Sequence, residues 1–125
     1  MSDLYRELLL DHARHPRGFG LLADTDFHSE QTNASCGDRL DVAVRLAKDG
    51  CISAVGFTGS GCAVTMASAS LLCESLPGKD TSVIPNMGLE DIELLFGAPV
   101  TPMRTRCALL ALRALQHGYS VWNQH

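Results

Sequence analysis

The chain has 125 residues, of which 46% are hydrophobic, 6% aromatic and 19% charged, and its formal net charge is −4. These values predict one globular domain over residues 1–125 with an aliphatic core, and they exclude a basic nucleic-acid-binding surface. No apolar run approaches the roughly 18 residues that cross a bilayer, and the first residues do not resemble a signal peptide, so no membrane partner is expected. Five irregularly spaced cysteines favour free thiols in a reducing cytoplasm over a disulfide framework.

The first half of the chain predicts one helix followed by a small antiparallel sheet. Apolar residues at helical spacing predict a helix over 4–15, which Pro16 ends before a loop over 17–20. A weak pattern predicts a first strand over 27–32. Alternating residues predict strands over 40–46 and 51–57, joined by a hairpin turn at 48–50.

The second half predicts helices. A glycine loop at 59–61 leads into a helix over 63–76 that carries a small-residue face and is stopped by Pro77-Gly78. After a loop over 80–88, a short helix is predicted over 89–96 and a longer one over 103–117, which Gly118 ends. The predicted fold class is therefore α+β, a three-stranded antiparallel sheet with helices packed on one face.

Four residues stand at the junctions of these predicted elements and form a candidate ligand set: Cys36, Asp38, Cys62 and Cys107. Three thiolates and one carboxylate suit tetrahedral zinc, or iron bound through sulfur. Gly37 would allow the first two side chains to point to the same place, although a surface turn in which Asp38 caps the backbone is the simpler alternative for this pair alone.

The other two cysteines of the set stand at predicted helix starts. The amino terminus of a helix favours the thiolate form of Cys62, and the nearby Arg104 and Arg106 favour that of Cys107. The alternative for both is core packing, since small and aliphatic residues follow each of them. Core packing could explain any one of these cysteines, but it explains three cysteines at three junctions less easily.

The remaining cysteines and histidines are assigned structural roles. Cys73 lies 11 residues beyond Cys62 and about 16 Å further along a helix axis, too far to share an ion, so Cys73 and Cys51 are predicted to be core residues. Three histidines are predicted at helix ends, where a cation suits the helix dipole: His12, His15 and His117. His28 lies in a poorly defined segment, and no histidine is assigned a catalytic role.

Several segments together resemble the NifU amino-terminal-like family of iron–sulfur assembly proteins, which includes the IscU scaffolds and the SufU proteins. The resemblance covers Leu4 to about Gly118. Its landmarks are 11–20, Cys36-Gly37-Asp38-Arg39, 57–70 around Gly61-Cys62-Ala63, Gly78-Lys79 and 104–109. It implies a SufE/NifU-like fold, with Cys36, Asp38, Cys62 and Cys107 as the metal or cluster site.

Within this family the chain is more similar to SufU than to IscU. IscU scaffolds carry a histidine where this chain has Arg106, and residues 98–102 only distantly resemble their chaperone-binding segment. The Arg104-x-x-Cys107 pattern looks like SufU, in which a tight zinc site accepts sulfur from a cysteine desulfurase. The resemblance implies that a desulfurase histidine displaces one zinc ligand, and by matching position the freed thiolate would be Cys36.

The sequence thus predicts a SufU-like, zinc-dependent sulfur acceptor that serves as a sulfurtransferase with a SufS-like cysteine desulfurase and supplies the downstream iron–sulfur machinery. Cys36 would take the sulfur, and Arg104 would stabilise the anionic acceptor. Two alternatives stay open: an IscU-type scaffold that assembles a [2Fe–2S] cluster or binds iron on the same ligands, and a zinc-stabilised binding module. One departure from SufU is the short segment between Lys79 and Cys107, where that group usually carries an insertion.

Overall fold

The computed structural model describes residues 3–20, 22–34 and 37–124. A sheet of order β1-β2-β3 contains strands β1 (Phe27–Asn33), β2 (Asp38–Leu46) and β3 (Ile52–Ser60), all antiparallel. The α-helices of these residues are α1 (Asp3–Arg14), α2 (Ala63–Ser75), α3 (Leu89–Phe96) and α4 (Thr105–Asn123). Short 3-10 helices cover Thr81–Asn86 and Pro102–Arg104. No helix in the described ranges combines the length and the apolarity needed to cross a bilayer.

The core lies between one face of the sheet and two helices. Leu40, Val42 and Val44 occupy alternate positions of β2 and are all buried, as expected for a strand with one face in the core. Helix α4 packs on β1 and β2, α2 packs on β3 and α4, and α1 lies on α2. The predicted α+β fold with a three-stranded antiparallel sheet is confirmed.

Two strands are longer than predicted at the end of the sheet where they meet α2. Strand β2 begins at Asp38 and pairs there with Asn33, while β3 continues to Ser60 through most of the predicted glycine loop. Gly59 makes this extension possible because its φ is +135° and a side chain there would collide with the backbone of Arg39. The extension places Asp38 next to the start of α2.

The predicted end of the last helix at Gly118 is wrong, because α4 continues to Asn123. A Cβ atom at Gly118 would lie 3.0 Å from Cδ2 of Phe27, so this glycine marks the point where α4 crosses β1 closely. Beyond it, Trp122 packs on Phe27 with ring centroids 5.5 Å apart. His117 therefore lies inside the helix, where its Nδ1 contacts the Ser29 hydroxyl at 2.9 Å, and its prediction as a helix-end residue is also wrong.

His12 also has a different role from the predicted one. Its ring is only 3% exposed, and its Nδ1 lies 2.6 Å from the hydroxyl oxygen of Ser70 on α2. The same oxygen accepts a hydrogen bond from the Arg17 backbone N–H at 2.8 Å. His12 lies in the last turn of α1, as predicted, but it is buried and joins α1 to α2. His15 follows α1 and is exposed.

The two cysteines assigned to the core differ. Cys73 is buried, as predicted, and burial raises the pKa of its thiol to about 12. Cys51 is only partly buried, precedes β3, and forms an isolated backbone bridge with Asp80. Its assignment to the core is wrong.

Candidate metal centre

Three of the four candidate ligands lie together although they are far apart in sequence. One ligand atom each from Asp38, Cys62 and Cys107 lies within 4.8 Å of the others. Asp38 and Cys107 are 4% and 7% exposed, and Cys62 is partly buried. The fourth candidate, Cys36, lies outside the described residues. The role of all four as ligands stays a prediction.

Each of the three side chains is positioned by the start of a regular element. Asp38 is the first residue of β2, Cys62 is the amino-terminal cap of α2, and Cys107 lies in the first turn of α4. The backbone N–H of Cys62 donates to Oδ1 of Asp38 at 3.3 Å. The carboxylate therefore lies at the positive end of α2, where a negative charge is favoured.

Gly61 allows this close approach. A Cβ atom at this position would lie 2.8 Å from Cγ2 of Thr65 and 3.0 Å from Cγ of Asp38. A side chain here would therefore push the carboxylate away from α2. The glycine therefore brings the backbone close to the side chain of a candidate ligand.

Thr65 connects two of the candidate ligands and was not singled out from the sequence. Its hydroxyl is fully buried and donates to Oδ2 of Asp38 at 2.7 Å. The same oxygen lies 3.4 Å from Sγ of Cys62. A threonine three residues after a helix cap was the available signal, since that spacing brings a side chain back to the cap.

The surroundings of Cys62 favour its thiolate. Burial alone would raise its pKa, but hydrogen bonds outweigh burial and hold the pKa below its ordinary value. These hydrogen bonds involve Thr65, the side chain of Cys107 and the backbone N–H of Val64. A thiolate is the form that binds a metal ion.

Cys107 is held in place through α2. The fully buried Ser68 donates its hydroxyl hydrogen to the backbone carbonyl of Ala108 at 2.6 Å. This bond fixes the first turn of α4, which carries Cys107, against the helix that begins at Cys62. Arg104 lies in the 3-10 turn before α4, with an exposed side chain.

The three donor atoms fit a thiolate metal site. Tetrahedral zinc with bonds of about 2.3 Å to sulfur separates its sulfur ligands by about 3.8 Å. Atoms already within 4.8 Å of one another need only small side-chain adjustments to reach that spacing. Two sulfur donors and a carboxylate are also ligands that zinc and sulfur-bound iron accept. The residues present therefore fit such a group.

Cys51, Cys73 and His28 lie elsewhere. The Nδ1 of His28 lies 3.3 Å from Oδ1 of Asp41 on the exposed side of the sheet. Within the described ranges, the only group of three or more histidine, cysteine or acidic side chains arranged to hold a metal is that of Asp38, Cys62 and Cys107.

Comparison with known proteins gives a consistent result. A family model described as NifU-like N terminal domain matches residues 4–125. The zinc-dependent sulfurtransferase SufU of Bacillus subtilis is 33% identical over 135 residues, covering 94% of this chain and 90% of that protein. The iron–sulfur cluster assembly scaffold protein IscU of Thermotoga maritima is 28% identical over 131 residues, covering 92% of both. A nitrogen-fixing NifU-like protein (N-terminal) from Brucella abortus has a similar fold, with a TM-score of 0.76 at 18% identity over 98% of this chain and 96% of that one.

Proposed function

Since the chain belongs to the family of NifU-like N-terminal domains, we propose that it serves iron–sulfur cluster assembly as a sulfur acceptor with a zinc-bound thiolate centre. The family predicted from the sequence is confirmed. The observation that carries the proposal is the convergence of Asp38, Cys62 and Cys107 within 4.8 Å. The similarity to a SufU relative supports zinc and sulfur transfer over the alternatives.

We assign the ligand roles to the four predicted residues. Asp38, Cys62 and Cys107 would retain the ion, and Cys36 would complete the set and take the sulfur. Zinc, when bound, keeps cysteines as thiolates and exchanges ligands without a change of oxidation state. Thr65 keeps the Asp38 carboxylate oriented, and Ser68 keeps the Cys107 turn against α2.

The proposed transfer is a thiol exchange with a cysteine desulfurase. The Cys36 thiolate attacks the terminal sulfur of the persulfide on the desulfurase cysteine. A new sulfur–sulfur bond forms at Cys36, the donor's sulfur–sulfur bond breaks, and the desulfurase cysteine leaves as a thiolate. Charge is conserved, and no oxidant or reductant is needed. The guanidinium of Arg104 would stabilise the anionic persulfide through a charge-assisted hydrogen bond.

The partner would be a SufS-like cysteine desulfurase, and the sulfur would pass on to downstream iron–sulfur machinery. We place the reaction in the cytoplasm, because free thiols persist in a reducing compartment. The alternative is a scaffold that assembles a [2Fe–2S] cluster on the same ligands, which the similarity to IscU of Thermotoga maritima favours. A zinc-stabilised binding module is the alternative without sulfur chemistry.

The test combines metal analysis with a desulfurase assay. Freshly purified protein is expected to be colourless, to contain one equivalent of zinc and to stimulate alanine formation by the desulfurase of the same organism. Cys36→Ala should abolish this stimulation, whereas Cys51→Ala, a matched change away from the centre, should leave it intact. Brown protein with iron and acid-labile sulfide would favour the scaffold. Zinc-loaded protein that no desulfurase recognises would favour the binding module.

A further inference from the structure

An apolar groove lies beside the metal centre. It has a volume of about 570 Å³ and is formed by α1, the start of α2, the end of α3 and the segment that follows α3. The apolar side chains that define it are Leu9, Leu10, Val64, Phe96, Pro99 and Val100. Its volume falls in the range of cavities that bind ligands or a few side chains of a peptide.

Two arginines give the groove its charge. Arg6 and Arg104 line it, and none of the residues that line it is acidic. Neither arginine forms an ion pair with an acidic side chain in the part of the chain that the structure describes. The whole chain carries a net charge of −4, so the positive charge of this apolar groove is a local exception. Such a surface is complementary to an apolar segment that carries carboxylates.

The groove is continuous with the metal centre. Ala63, which lines it, directly follows Cys62, and Arg104 precedes Cys107 by three residues. A segment bound there would be held at the edge of the thiolate centre. A protein that exchanges sulfur with the centre must come this close.

The geometry points to this groove as the docking site for a segment of the cysteine desulfurase that combines aliphatic or aromatic side chains with at least one carboxylate. This inference rests on the proposed function. The apolar side chains enter between α1 and the segment after α3, and the carboxylate pairs with Arg6. Docking in this way brings the donor persulfide to the centre and makes the encounter dependent on ionic strength.

The experiment measures how much protein half-saturates the stimulation of the desulfurase. Arg6→Glu and Leu10→Asp should each raise the half-saturating concentration about tenfold, while zinc content stays at the wild-type level. Lys48→Glu, the same charge reversal as in Arg6→Glu but in the exposed turn at the opposite end of the sheet, should change neither quantity. Added salt should raise the half-saturating concentration of wild-type protein much more than that of Arg6→Glu, which a purely structural role of Arg6 would not produce. Leu10→Ala provides a milder change if Leu10→Asp lowers the zinc content.

Each other outcome contradicts the inference in a recognisable way. If Arg6→Glu and Leu10→Ala behave like Lys48→Glu while the wild type is a good sulfur acceptor, the groove is not the docking site and the proposed function stands. If the wild type accepts no sulfur from the desulfurase, both fall. If sedimentation shows a wild-type dimer that Arg6→Glu and Leu10→Asp dissociate without affecting stimulation, a second copy of the chain occupies the groove.

Discussion

The hydroxyl of Thr65 offers the sharpest test of how the proposed metal centre is organised. Thr65→Val keeps the shape of the buried side chain but removes the 2.7 Å hydrogen bond to Oδ2 of Asp38 and the 3.4 Å contact with Sγ of Cys62. A hydrogen bond to a charged group contributes about 1.5–3 kcal/mol, and the Asp38 carboxylate is too buried for water to replace the lost donor easily. Since about 1.4 kcal/mol corresponds to a factor of ten, the expected loss of zinc affinity is roughly 10- to 100-fold.

The assay is a competition for zinc between the protein and a chromophoric chelator at fixed pH. Thr81→Val is the matched control, because it removes a buried threonine hydroxyl that donates to the carbonyl of Gly50 at 3.2 Å, at the other end of the sheet. Thr81→Val should lower the free energy of unfolding by a small amount similar to that for Thr65→Val, but it should keep the zinc affinity of the wild type. Equal zinc affinities of wild type and Thr65→Val would refute the claim that Thr65 orients the ligands.

Two further predictions concern the fold. Gly118→Leu should lower the free energy of unfolding in urea by about 1–3 kcal/mol, because the added side chain would enter space occupied by Phe27. Gly97→Ala is the control, because its Cβ would meet nothing nearby. It should show only the cost of a left-handed φ of +76°. Burial lowers the pKa of His12, and the positive charge of Arg17 lowers it further. The negative charges of Glu74 and Asp11 oppose this change but do not cancel it, so the folded protein favours the neutral ring. The contribution of His12 to stability should therefore be complete above its ordinary pKa of about 6.5 and decline as the pH falls through the lowered value. Unfolding curves of the wild type and His12→Asn between pH 7 and 5 should converge as the pH falls, and parallel curves would contradict this explanation.

Local signals in the sequence were sufficient for some elements. The short helix predicted over 89–96 is observed at Leu89–Phe96, because Ile92 and Phe96 share one buried face and Gly97 takes the left-handed conformation that ends the helix. The hairpin turn between β2 and β3 was also predictable from local signals, because its residues have strong turn preferences. Such elements are determined by residues close together in the chain.

Features that depend on contacts between distant residues were not predictable in this way. Gly118 has the local appearance of a helix end, and only the crossing of α4 over Phe27 explains why the helix continues through it. His12 likewise looks like a helix-end cation until Ser70 is seen 2.6 Å away. At the proposed metal centre, the candidate ligands were visible in the sequence, but the hydrogen bond of Thr65 depends on how β2 meets α2.

The composition of α2 follows from its position between the other elements of the centre. Thr65 bonds to Asp38 on β2, and Ser68, three residues later, bonds to the backbone beside Cys107 on α4. Serine and threonine are modest helix formers, and the small side chains between them stabilise a helix little by burial. Larger residues on this face would separate β2 and α4, and the three donor atoms could not then stay within 4.8 Å. The hydroxyls of Thr65 and Ser68 are therefore explained by the bonds that join α2 to β2 and to α4.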